Sequence, residues 1–321
     1  MLGKQQEAIT YHKQALRIYR IELERETDIC VAYKSLASSL ALSGQVSDAK
    51  SNYESALAVT METGNKTEQM DIYCKLGDLH RVQLHEPQES HKYYTEMLAL
   101  ARDLGRKDRG GLAYNRLGHA HYDMGEHEES LEWSKKTLKM RQESGDKTQQ
   151  IIAHQNIAVS YKALGKLDLA RSHYQSAMTI AMETGNKTPQ MDIYCKLGDL
   201  HREQLHEPQE SHKYYTEMLA LARDLGRKDK ESQAYNRLGR AHYEMGEHEE
   251  SLEWDKKDLK MRQESGDKTE QITADKNIAV NYKALGKLDL ARSHYQSAMT
   301  IAMETGNKQE QEDIAKKLAN L

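Results

Sequence analysis

Cys74 and His80, with Asp71 and Asp78 beside them, stand inside the stretch MDIYCKLGDLH, which recurs letter for letter from Met191 to His201. Thiolate, imidazole and carboxylate are zinc ligands, and a perturbed thiol can serve redox chemistry, so the stretch could be a duplicated metal or redox site. The spacing speaks against it. On a helix turning about 100° per residue, Cys74 and His80 are separated by about 240° and point to different faces. The neighbouring HRVQLHEPQESH adds His85 and His91, but no pair has the i, i+4 spacing of a helical zinc site. His80, His121, His201 and His242 are expected to be packing residues, as are Tyr93, Tyr94, Trp133 and Trp254. Carboxylates such as Glu89, Glu129 and Glu250 are expected to be solvated. No Gly-rich phosphate loop, nucleophile elbow or His-Glu-x-x-His motif is present. The expectation is a protein that is not an enzyme and has neither cofactor nor metal.

Charge narrows the partners. With 46 basic and 50 acidic residues the net charge is -4, so the basic excess that phosphate backbones demand is missing and no nucleic-acid partner is expected. No apolar run approaches a membrane span, Met1 is followed by no apolar leader, and Cys30, Cys74 and Cys195 are too scattered for a disulfide framework. A cytoplasmic protein without membrane insertion is expected.

The elements that position these residues are repeats. Residues 61–181 align with 182–302 with 15 differences, and inside each copy a period of about 40 residues appears. DIYCKLGDLH, AYNRLGHAHY and AHQNIAVSYK are versions of one segment; ESHKYYTEMLAL, EESLEWSKKTLKM and LARSHYQSAMTI are versions of a second. Ile157, Tyr161 and Leu164, then Leu167, Ala170, Tyr174, Ala177 and Met178, recur at helical spacing. Between the two helices stand Gly44, Gly125, Gly165, Gly246 and Gly286, suited to a left-handed helix stop. Thr67, Thr148, Thr188 and Thr269 are expected caps of the following helices. One turn has Leu84 in place of Gly and one extra residue, with Pro87 and Pro208 suited to a first helical turn.

Small residues recur where paired helices must approach: Ala37, Gly77, Gly118, Ala158, Gly198, Gly239 and Ala279 in the first helices, and Ala49, Ser90, Ser130, Ala170, Ser211, Ser251 and Ala291 in the second. With the Leu-Gly pair, the turn Gly and the second-helix aromatic, the pattern resembles the tetratricopeptide repeat over nearly the whole chain. The spacing, AYNRLG and the GDK and GNK linkers are most similar to the Partner-of-Inscuteable (LGN) type. Asp78, His119, Asp199 and Arg240 stand where that type has its Asn, and the first module is somewhat similar to kinesin light chain repeats. The resemblance implies an all-α solenoid of antiparallel helix pairs wound into a right-handed superhelix. Its expected divisions are an N-terminal partial repeat (1–29, with a second helix at 4–22 after a turn at Gly3), units at 30–70, 71–110, 111–150, 151–191, 192–231, 232–271 and 272–311, and a C-terminal capping half-helix at 312–321.

The resemblance also implies a non-enzymatic scaffold that binds an extended or partly helical peptide of a protein partner in a concave groove lined by the first helices. That groove would contain Asp71, Cys74, Asp78 and Arg81; Leu112, Asn115, His119, Tyr122 and Asp123; Ile152, Gln155, Val159 and Lys162. In the second copy it would contain Asp192, Cys195, Asp199, Arg202 and Glu203; Gln233, Asn236, Arg240 and Tyr243; Thr273, Lys276 and Lys283. Asn115 and Asn236 would bind peptide backbone, Arg81, Arg202, Arg240 and Lys276 acidic side chains, and Leu112 and Ile152 an apolar anchor. Six of the 15 differences fall on this stripe: Val82 to Glu203, Leu112 to Gln233, His119 to Arg240, Asp123 to Glu244, Ile152 to Thr273 and Gln155 to Lys276. The first copy should therefore present a more apolar groove and the second a more charged one. The alternative is a self-assembling or structural array, natural or engineered, whose abbreviated ends make a homo-oligomer.

Overall fold

The computed structural model describes residues 2–18 and 26–321. These residues form α-helices joined by short turns, and among them there is no strand. The chain divides into two compact units, Met1–Lys166 and Leu167–Leu321.

The first unit holds α1 (Leu2–Ile18), α2 (Glu26–Leu42), α3 (Val46–Glu62), α4 (Lys66–Val82), α5 (Pro87–Asp103), α6 (Lys107–Asp123), α7 (His127–Glu143) and α8 (Lys147–Ala163). Each helix packs on the next, so α2, α4, α6 and α8 are the first helices of pairs and alternate with second helices. Ile72 and Leu76 join Leu36, Leu40 and Tyr53 in one core, while Met70, Tyr94, Met97 and Leu117 form the next. The second unit holds α9 (Leu167–Glu183), α10 (Lys187–Glu203), α11 (Pro208–Asp224), α12 (Lys228–Glu244), α13 (His248–Ser265), α14 (Lys268–Ala284), α15 (Leu288–Glu304) and α16 (Lys308–Ala319). Here Met191, Tyr215, Met218 and Leu238 form one core and Ile272, Tyr295, Ala298 and Ile314 another. Among the described residues the buried side chains gather in successive local clusters. Each layer buries only the apolar stripe of its own helices and of the next, as the lean hydrophobic content requires.

The turn between α2 and α3 shows how the helices stop. Gly44 adopts φ 79°, its N–H donates to the Ala41 carbonyl, and the Gln45 N–H reaches back to the Leu40 carbonyl. These bonds satisfy carbonyls that the last helical turn leaves open. The caps at the next helix starts differ from expectation. Asn65, Asp146 and Asp267 accept hydrogen bonds from the N–H groups of Glu68, Gln149 and Glu270, and Asn186 accepts from Thr188. Thr67, Thr148, Thr188 and Thr269 lie one position inside the first helical residue, too far along to cap it. The Asx residue before Lys occupies the N-cap position, from which its side-chain oxygen reaches the open donors of the first turn.

Where Leu84 replaces the turn glycine, the connection has four residues, and His85 takes the left-handed conformation at φ 55°, as does His206 in the second copy. Pro87 and Pro208 begin α5 and α11 as expected. A side chain in this region costs about 1 kcal/mol relative to glycine. His85→Gly and His206→Gly should therefore each raise stability by up to about 1 kcal/mol in urea denaturation, less the extra flexibility of an unfolded glycine.

The ends differ in detail from the sequence reading. Gly3 lies within α1 and is not a turn; α1 covers the expected helix as far as Ile18, and the remaining residues 19–22 lie outside those described. The final helix starts at Lys308, earlier than the expected half-helix, and Ile314 covers the apolar side of α15.

Candidate functional site

In both units the first helices carry a file of polar residues linked from one first helix to the next. In the first unit, Asp71 on α4 pairs with Arg109 on α6 at 2.7 Å, Asp78 with Arg116 at 3.2 Å, and Arg81 with Asp123 at 2.9 Å. Lys34 on α2 meets Glu68 on α4 at 2.5 Å. The second unit repeats the scheme: Asp192 with Lys230 at 3.6 Å, Asp199 with Arg237 at 3.0 Å, and Arg202 with Glu244 at 2.7 Å. Lys276 on α14 meets Glu310 and Asp313 on α16 at 2.7 and 2.6 Å.

This file contains the residues the sequence singled out, with different degrees of freedom. Arg81, Arg202 and Lys276, expected to meet a partner's acidic side chains, already hold carboxylates of their own chain. Arg202 is buried and also bonds the adjacent Glu203 at 2.5 Å. Arg240 is exposed and has no ion pair among the described residues. Asn115 is half-buried and Asn236 lies 3.5 Å from Asp258. Ile152 is exposed, while Leu112, Gln155, Val159, Lys162, Gln233 and Thr273 are half-buried. Tyr122 and Tyr243 each pack at a tilt against a histidine, His127 and His248, with ring centroids 5.0 Å apart. Lys283 donates to the Asn320 carbonyl at 2.9 Å. Burial first, and then the charges of Arg81 and Arg116, hold the His119 imidazole neutral, with its pKa lowered to about 4.

The two cysteines of the repeated stretch lie deeper than a groove-facing thiol would. Cys74 is buried and Cys195 half-buried, its Sγ 3.7 Å from Asp199 Oδ2. Burial pushes both thiols up, Cys195 to about 11. Because the thiolate is the reactive form, both should react at least about tenfold more slowly than a free thiol with an aromatic disulfide at neutral pH. Stopped-flow thiol titration of native and urea-unfolded protein measures this. The histidines are packing residues: His80 is buried against Tyr93, centroids 5.2 Å apart, and its Nδ1 lies 2.8 Å from Glu86. His201 repeats this with Tyr214 and Glu207. No group of metal-binding side chains occurs among the described residues.

Sequence reasoning missed a second set of differences between the copies, all inside the second unit. Where the first copy has Gly110, Gly111, Ser134, Thr137, His154 and Ser160, the second has Glu231, Ser232, Asp255, Asp258, Asp275 and Asn281, and all six of the latter are buried. Glu231 is held by Tyr235, Arg223 and Lys228 at 2.8, 3.1 and 2.8 Å. Asp258 accepts from Ser232 and from Arg262 Nε, the latter at 3.1 Å. Asp275 lies 2.8 Å from His294 Nδ1 and accepts from Ser297 at 2.9 Å. Asp255 accepts only from Asn281 Nδ2, at 2.8 Å on Oδ2. Burial, and secondly the charge of Asp258, push the Asp255 carboxyl up to about 8. Burial likewise raises Asp258.

The first helices also line two cavities, each within one unit. One, of about 430 Å³, is bordered by Leu42, Leu79, Val82 and Arg81 in the first unit. The other, of about 450 Å³, is bordered by Arg202, Glu203, Arg240, Tyr243 and Asp255 in the second.

Helix pairs of constant length, stacked in chain order with small residues at their crossings, define a helical repeat protein. The tetratricopeptide repeat pattern matches residues 111–183, 150–224 and 230–304, more than half of the chain, and the chain belongs to that family. A comparison with curated proteins returns no match. Among solved structures, the chain is similar to BtubC (BKLC) from P. vanneervenii (20% identity, TM-score 0.62, covering 68% of this chain and 92% of that one). It is also similar to the aspartyl phosphate phosphatase F of Bacillus subtilis (11%, 0.63, 88% and 74%). The apo quorum sensor NprR of B. thuringiensis matches along nearly its whole length (15%, 0.56, 99% and 97%). At these identities the likeness is one of fold. No described helix is long and apolar enough to cross a membrane.

Proposed function

We propose that the chain is a non-enzymatic protein-interaction scaffold whose first-helix face takes an extended or partly helical peptide segment of a partner. The observation that carries this reading is the pair of open cavities on that face, one with Leu42, Leu79 and Val82 beside Lys75, Asp78 and Arg116, the other ringed by charge around Arg240. Tetratricopeptide repeats are typically used for protein interaction, and the residues that differ between the copies border both cavities. The aliphatic part of the first cavity, at Leu42 and Val82, would take an apolar anchor and Asn115 the peptide backbone, while Arg240 would take an acidic side chain. The resemblance to the Partner-of-Inscuteable type points to an adaptor role, and the three free thiols suit a reducing cytoplasm.

Selection of peptides from a random display library, followed by hydrogen-exchange mapping of the bound chain, tests the proposal. Protection on α4, α6, α10 and α12, with affinity reduced at least about tenfold by Val82→Glu or Arg240→Glu, is the expected result. Selected peptides that protect only the second helices would overturn it.

A further inference from the structure

Asp255 differs from the other buried acids of the second copy. Glu231 and Asp258 have cations, and Asp275 has an imidazole, within hydrogen-bond distance. Asp255 is 2% exposed, receives one amide bond on Oδ2, and its Oδ1 has no hydrogen-bond partner. The Asn281 side chain beside it is equally buried. Its Nδ2 is spent on Asp255 and Ser251, both at 2.8 Å, which fixes the amide's orientation and leaves Oδ1 unpartnered. Two buried acceptors on neighbouring side chains thus lack partners, although unpaired buried acceptors each cost about 1–3 kcal/mol. Both residues border the cavity of about 450 Å³ on the first-helix face. Asn277, on the same wall, has an unpartnered Nδ2, and a half-turn of its amide would offer a third acceptor.

We propose that this cavity, between α10, α12, α13 and α14, is a binding site for a primary ammonium group, the lysine side chain of a partner segment, received by Asp255 Oδ1 and Asn281 Oδ1. An ammonium brings three donors and no acceptor, which matches the open acceptors, and its charge supplies what Asp255 lacks. Gly239 makes room for the carboxylate, because a Cβ there would collide with Asp255 Oδ1. Arg240 stands exposed at the rim, where water screens it, and Glu203 and Glu244 offset Arg202. The corresponding place in the first copy carries Ser134 and Ser160, with the Ser160 and Ser130 hydroxyls 3.1 Å apart, and has no acid to receive a cation.

This inference rests on the first-helix face being the binding face, and the tests separate the two. The probe is N-acetyl-lysine amide, with the norleucine analogue as its neutral match. It is titrated into the full chain by NMR at about pH 9, where the ammonium keeps its proton. Saturable shifts of the Asn281 side-chain amide are expected with lysine and not with norleucine. Asp255→Ser and Asn281→Ser, which install residues the first copy already packs, should weaken binding at least about tenfold. Equal binding of norleucine, unchanged affinity in Asp255→Ser, equal shifts around Ser160, or an Arg240 side chain found folded onto Asp255 in the free protein would each overturn the site. Should library peptides bind the first-helix face with Asp255→Ser unaffected, the scaffold reading stands and the ammonium site falls.

Discussion

Gly77→Ala is expected to destabilise the first unit by about 3 kcal/mol, the upper end of the usual range for overpacking. On an exposed helix the same change would gain about 1 kcal/mol of helix propensity. Here a Cβ would lie 2.7 Å from Cδ1 of Tyr94 and closer still to Cε1. The ring cannot retreat. Tyr94 is fully buried, and its hydroxyl donates to Asp78 Oδ1 at 2.7 Å, the carboxylate that Arg116 also holds. Gly198 stands in the same relation to Tyr215 and should behave alike. Gly118 is the control: its Cβ would meet the Ser134 hydroxyl at 3.3 Å, a group that can rotate, so alanine there should lie within about 1 kcal/mol of neutral. Urea denaturation followed by circular dichroism distinguishes the sites, and a Gly77→Ala protein as stable as Gly118→Ala would refute the packing argument.

Asp255→Ser should stabilise the second unit, and by more at pH 8 than at pH 5. Its carboxyl, at about 8 when folded, would sit near 3.9 in the unfolded chain. The folded state holds the proton more tightly, so the contribution of Asp255 is most favourable below about pH 4 and is lost as pH rises from about 4 to about 8. Above that range both states are ionised and the loss is complete. One pKa unit is worth about 1.4 kcal/mol, which makes the total a few kcal/mol. Asp258 on the same helix shares the effect, while Arg240 on α12 and the Asn281 amide on α14 oppose it. Asp255→Asn should flatten the pH dependence while keeping the shape. Urea midpoints at about pH 5 and pH 8 would check the sign, and a wild type that gains stability across this range would contradict it.

Much of this architecture was legible because its signals are periodic. Leu76 and Gly77, Gly44 and the buried Ser90 each recur at fixed spacing, so one ambiguous copy is interpreted by its neighbours. The helix caps were misread because Thr looks like a cap in isolation, whereas Asn65 and Asp146 are placed by the glycine stop directly before them. The stripe on the first helices was also legible, but its internal commitments were not. Arg81 reaches Asp123 and Lys276 reaches Glu310 across a full repeat, distances that no local pattern encodes. The buried acids left a signal that was overlooked. Ser134 to Asp255 and Thr137 to Asp258 put charge at positions where small residues mark close helix contact, and such a change is informative even without coordinates.

The verbatim repetition has a consequence for how the chain finds its fold. Helices α5 and α11 are the same seventeen residues, as are α9 and α15. Helix α4 can therefore accept α11 as readily as α5, within one molecule or between two, a failure to which repeat chains are prone. What tells the copies apart is polar and buried. Asp258 finds a hydroxyl at Ser232 but would face bare Gly111 in the first copy, keeping Arg262 on its own helix. That mispairing removes a buried hydrogen bond worth about 1 kcal/mol. The buried Asp258–Ser232 pair thus acts as an address label, directing otherwise interchangeable helices to their own partners.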